Sequence, residues 1–173
     1  IFEAQIKEKG VGPAKMKKIC ILDQPGYGDS YGFHRIFSNG YFHYRTFSKT
    51  PKLKFILAIH KNDLTGTAEK FKKTIFNFIN SFKGWDSIKG GILEATSFLV
   101  TKADPETKYE NMKNIIVALR DSVKGMGAKQ ISKYQEVIDE MLKNNRIFII
   151  EKPKNKNASP MDNTILQKIY DST

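Results

Sequence analysis

Cysteine is almost absent from this 173-residue chain. Cys20 stands alone and has no intrachain disulfide partner, which favours a reducing compartment. The expected setting is intracellular and cytoplasmic, with an organelle also compatible. No apolar run approaches the roughly 18 residues that cross a bilayer as a helix. His34, His43 and His60 lack the spacing of a zinc site, and no sequence neighbour pairs them with a nucleophile. The opening Ile1-Phe2-Glu3 carries neither an initiator methionine nor a secretory signal, so the chain reads as a piece of a longer protein or a processed product. Acidic residues are the scarcer sign: 18 Asp and Glu against 29 Lys and Arg, a formal charge of +11. Such a surface attracts polyanions, among them RNA, nucleoside phosphates, acidic lipids and acidic protein assemblies. The lysines are spread along the chain and form no single block, which weakens any specific nucleic-acid role.

What is present reads as one α/β domain. Phe2, Ala4 and Ile6 alternate with polar residues, and Gly10, Gly12 and Pro13 supply a turn, so residues 2–6 and 17–22 predict an antiparallel hairpin with Cys20 buried in its second strand. Phe33, Ile36, Phe37, Tyr41, Tyr44 and Phe47 recur at helical spacing and predict an aromatic-rich helix packed against its neighbours, with His34 and His43 half-buried. Leu53 to Ile59 predicts a buried strand. Thr65-Gly66-Thr67 offers a cap to a helix carrying Phe71, Ile75, Phe78, Ile79 and Phe82, and Trp85 falls in the following loop. A strand within Ile92 to Val100 precedes a helix starting near Asp104-Pro105-Glu106, with Met112, Ile115, Ile116, Leu119 and Val123 on its buried face. Ile131 to Leu142 predicts a further helix, Arg146 to Ile150 a strand, and Ile165 to Tyr170 a terminal helix. The alternation predicts a three-layer, mostly parallel sheet with helices on both faces. The core should span residues 1–150, and a loop and helix should occupy 151–173.

Two stretches place chemistry at strand ends. Lys15 to Leu22 leads into Asp23-Gln24-Pro25-Gly26-Tyr27-Gly28-Asp29, where an apolar strand delivers a carboxylate into a turn whose glycines let backbone amides approach an anion. Phe98-Leu99-Val100 leads likewise into Thr101-Lys102-Ala103-Asp104. His60-Lys61-Asn62-Asp63 also follows an apolar run, but too little chain separates it from Asp23 for the helix, strand and second helix that an α/β nucleotide fold needs between such motifs.

Leu22 to Asp29 resembles the D-x-P-G-[aromatic]-G-D segment of septin-like and immunity-associated GTPases, relatives of the translation-factor class of P-loop GTPases. Thr101 to Asp104 is similar to their [NT]-K-x-D guanine motif. The resemblance implies that Asp23 holds magnesium through water and that the Gly26 amide senses the terminal phosphate of GTP. It implies further that Asp104 accepts hydrogen bonds from guanine, with Thr101 and Lys102 completing that site and the Lys102 stem covering the ring. GTP or GDP and Mg2+ are the implied ligands, and a homodimer or larger assembly is compatible. Glu151-Lys152-Pro153 matches the position of a base-facing loop but none of its diagnostic residues.

The family's first motif, G-x-x-x-x-G-K-[ST], is missing. Gly10 to Met16 has glycines and a lysine without the spacing, the hydroxyl or the flanking strand and helix. That motif supplies most of the grip on the phosphates. Its strand is also central in such a sheet, so its loss would leave a slot between the hairpin and the remaining strands. Tyr27, where the small signalling members carry a water-orienting Gln, cannot polarise water. GTP hydrolysis is therefore expected only if a phosphate loop is supplied upstream. The alternative is a catalytically silent scaffold docking on RNA or an acidic protein assembly.

Overall fold

Alternation along Phe2 to Lys7, paired with the apolar stretch that ends at Leu22, builds the first element of the fold. In the computed structural model, which describes residues 2–7, 16–22, 41, 43–50, 52–153 and 163–172, strands β1 (Phe2–Lys7) and β2 (Met16–Ile21) pair antiparallel, with Ala4 opposite Ile19 and Phe2 opposite Ile21. This is the expected hairpin. Ile6 is buried, while Glu3, Gln5 and Lys7 are exposed. Cys20 is exposed, contrary to the expectation of a buried thiol. With a period of two, Met16, Lys18 and Cys20 share one face of β2, and Lys18 takes Glu3 of β1 as an ion partner at 2.6 Å. Only alternate residues of β2 are sheltered, so the apolar run does not bury Cys20.

The chain divides into two compact units, Ile1–Lys54 and Phe55–Thr173. In the first, Tyr41 and residues 43–49 are helical. His43 stacks on Phe47 with ring centroids 5.8 Å apart, and burial lowers its pKa. This matches the half-buried role expected of it. Tyr41 and Tyr44 are exposed, however, contrary to the expectation of an aromatic face packed against its neighbours. Phe33, His34, Ile36 and Phe37 lie outside the described residues.

In the second unit, strands β3 (Phe55–His60), β4 (Thr96–Ala103) and β5 (Ile147–Glu151) form a parallel sheet in the order β3-β4-β5. Helices α1 (Glu69–Asn80) and α2 (Trp85–Glu94) connect β3 to β4, and α3 (Tyr109–Asp121) and α4 (Ala128–Lys143) connect β4 to β5. Alternation sorts the strands' side chains. Leu57, Ile59, Phe98, Val100 and Ile147 enter the main core with Phe71, Ile75 and Phe78 of α1 and Tyr134, Val137 and Ile138 of α4. Leu99 and Ile150 face the other way and pack with Ile165 and Ile169 of the terminal helix α5 (Asn163–Asp171). The unit is thus an α/β fold with helices on both faces of its sheet, as the alternation predicts.

Three local expectations are corrected. Trp85 opens α2 and is buried against Phe78 and Phe82; Gly90 and Gly91 depress the helix propensity of that segment, and burial of Trp85 and Leu93 overrides it. The cap position of α1 is Ala68, in a left-handed conformation and with no side-chain cap, while the Thr65 hydroxyl donates to the Asn62 carbonyl in the preceding turn. Pro105 sits in a turn closed by the Thr107 N–H on the Asp104 carbonyl, and α3 starts only at Tyr109. Proline suits the second position of such a turn as well as it suits a helix start.

Tyr134 is fully buried, stacks on Phe76 at 5.2 Å, and donates its hydroxyl to the Leu119 carbonyl at 3.2 Å. Burial pushes its pKa up, so the phenol stays neutral. Tyr134→Phe keeps the ring and removes one of the two hydroxyl donors to that carbonyl, the Ser122 hydroxyl remaining at 2.9 Å. The expected loss is about 1 kcal/mol of unfolding free energy, measured by urea denaturation.

Candidate functional site

Parallel strands deliver their carboxyl ends to one rim, where open α/β sheets take ligands. At this rim His60 of β3 lies opposite Thr101 of β4, and Ala103 lies opposite Glu151 of β5. The β4–β5 register is interrupted between Val100 and Ala103, and Lys102 there adopts φ 55°, a left-handed conformation rare for a residue with a side chain. The Lys152 N–H closes the rim on the Ala103 carbonyl at 2.8 Å. Asp104 leaves the end of β4 into solvent.

Three of the expected guanine-site residues therefore come together at the end of the central strand, in different states. Thr101 is half-buried, and its hydroxyl donates to the Ile59 carbonyl at 3.3 Å, so it ties β4 to β3. Lys102 is exposed. The Asp104 carboxylate is exposed and paired with the Lys61 ammonium, which holds its pKa below the usual carboxylate range, with Lys152 adding a smaller pull. Asp23 and Gly26, and with them the expected magnesium and terminal-phosphate contacts, lie outside the described residues. Among the described residues no group of three or more His, Cys, Asp or Glu could hold a metal ion.

Lys61 is the rim residue that sequence spacing set aside. It opens a 3-10 turn, Lys61–Leu64, directly after β3. His60 Nδ1 accepts the Asn62 N–H at 3.1 Å, and the Thr65 N–H and hydroxyl both reach the Asn62 carbonyl, so the turn is fastened at both ends. Asp63 in the same turn faces Lys70 at 3.6 Å. The signal that could have found Lys61 is topological: parallel neighbours end side by side, so a charged turn after β3 must stand beside the one after β4.

Among the described residues at the rim, Lys102 and Asp104 are exposed. A crevice of about 290 Å³ borders the rim, lined by Thr107, Tyr109, Phe148, Glu151, Ile165 and Lys168 among others, and none of Thr101, Lys102 and Asp104 lines it. A second hollow, of about 330 Å³, lies on the α3 and α4 faces around Arg120 and Asp139, whose side chains are joined at 2.5 Å. No family model, curated protein or solved structure matches the chain. No helix among the described residues is long and apolar enough to cross a membrane.

The strained backbone at Lys102 yields a prediction. A left-handed conformation costs a residue with a side chain about 1 kcal/mol, and glycine is free of that cost. Lys102→Gly is expected to raise the urea midpoint slightly while weakening any ligand that uses the lysine. Loss of stability would mean that the side chain is needed where it lies.

Proposed function

We propose that this chain is a P-loop GTPase-like domain that binds guanine nucleotide at the carboxyl rim of its parallel sheet, weakly and with little or no hydrolysis. The observation that carries this is Asp104, an exposed carboxylate placed directly after the central strand, beside Lys102. An ionised carboxylate at that position accepts the two N–H donors that distinguish guanine from adenine. Affinity for GTP should be micromolar or weaker, because the sequence has no phosphate-loop motif to add its contacts. Calorimetric titration with GDP and ADP tests this: saturable binding of GDP alone is expected, and equal binding of both, or of neither, overturns it.

A second reading has its own support. Lys61 already occupies Asp104, and the formal charge is +11. A catalytically silent scaffold would use its lysines on RNA or on an acidic protein assembly. Its signature is an association that weakens steeply with salt and does not respond to GDP.

A further inference from the structure

We propose that Lys61 is an internal competitor for the Asp104 carboxylate, so that a guanine base has to displace its ammonium group before it can bind. This rests on the guanine reading of Asp104 given above and adds to it a residue that sets the affinity.

The placement follows from the fold. His60 and Thr101 are register partners on adjacent parallel strands, so the residues just beyond them emerge side by side. Because the 61–64 turn is fastened by His60 Nδ1 at its start and by Thr65 at its end, the backbone of Lys61 has little freedom, and its side chain reaches across to the end of β4. The ammonium meets Oδ2 of Asp104. A base presenting two parallel N–H donors needs both carboxylate oxygens, as a guanidinium does in a bidentate pair. One of the two is taken. The cation is also the more sheltered partner, its side chain 27% exposed against 63% for Asp104, so an incoming ligand meets the carboxylate first.

The same geometry makes the competition mild. Ion pairs this open to water are weak and screened by salt, so displacement hinders binding without preventing it. Lys61→Met keeps most of the aliphatic stem and removes the charge. It should tighten binding about two- to fivefold, the range that an exposed pair corresponds to.

The sign of the salt effect separates this competition from ordinary phosphate attraction. Guanosine carries no phosphate, so its binding to the natural chain should strengthen as added salt screens Lys61 from Asp104, and its binding to Lys61→Met should be indifferent to salt.

The test is an NMR titration of the whole chain and of Lys61→Met with guanosine at low and high salt, with the Asp104 carboxyl titrated by pH in the free proteins. The expected result is an upward move of the Asp104 pKa in Lys61→Met together with tighter guanosine binding. If the Asp104 titration does not move, the pair does not exist in solution and the proposal is overturned. If it moves while guanosine binds both proteins equally, or binds the variant more weakly, the guanine reading stands and the competitor role is overturned. If it moves and neither protein binds guanosine, the guanine reading itself fails and takes the competitor role with it.

Discussion

Arg146→Ala lowers the unfolding free energy of the second unit by about 3 kcal/mol, the expected consequence of removing a buried cation that serves two helix ends. Arg146 is 7% exposed. Its guanidinium donates to the Leu93 carbonyl at 2.7 Å, at the end of α2, and to the Ser172 carbonyl at 2.9 Å, just after α5, with Glu140 of α4 at 3.9 Å. Carbonyls at helix carboxyl ends carry the negative pole of the helix and lack intrahelical donors, so a fixed cation suits them. Its backbone is held as well: its N–H donates to Met141, and its carbonyl accepts from Phe98. A charge-assisted hydrogen bond contributes about 1.5–3 kcal/mol, and alanine removes two at once from a site that water enters poorly. Lysine cannot replace the planar fork, so Arg146→Lys should recover less than half of the loss. Urea denaturation decides it, through a lower midpoint at unchanged slope. A loss below about 1 kcal/mol would mean that water replaces the guanidinium at both carbonyls.

Asp104→Asn is expected to weaken GDP about 10- to 100-fold, the factor that corresponds to losing charge-assisted hydrogen bonds of about 1.5–3 kcal/mol. The amide turns one acceptor into a donor facing the N–H donors of guanine. It also releases Lys61, so the variant loses its acceptor and its competitor together, and the measured loss understates the worth of the carboxylate. Folding should be almost untouched, because the carboxylate is exposed. Saturable GDP binding that survives Asp104→Asn unchanged would rule out the guanine assignment. The pH dependence has a definite sign. The pKa of Asp104 is depressed in the folded chain, so its pairing is present above the ordinary carboxylate value of about 4 and is lost as pH falls through the lower folded value. Any guanine binding that depends on the ionised group should disappear over that same acidic window.

Most of the second unit is legible in its sequence. Phe71, Ile75 and Phe78 mark α1 at helical spacing, Tyr134, Val137 and Ile138 mark α4, and Leu57, Ile59, Phe98 and Val100 mark strands; all are core residues. Trp85 and Cys20 depart from the expectation because something beyond their nearest sequence neighbours decides them: burial against Phe78 and Phe82 for Trp85, and the face of the hairpin that stays exposed for Cys20. Pro105 departs from it locally, because a turn from Asp104 to Thr107 competes with a helix start. The sequence marks Arg146 only as a strand start; its partners Leu93 and Ser172 are remote in sequence, so its hold on two helix ends is not legible there.

Residue type and period were enough to determine an α/β chain with a parallel sheet and with Thr101, Lys102 and Asp104 at the carboxyl end of a buried strand. Hydrophobic burial repeats along the chain at the pitch of each element and is local by nature. The tertiary structure alone decided that Lys61 stands beside Asp104, that the Thr101 hydroxyl is spent on the neighbouring strand, and that Lys102 sits in a left-handed bend. Those facts depend on which strands lie next to each other and where they end. Strand neighbours are chosen by the whole core, and no stretch of sequence holds that choice within itself.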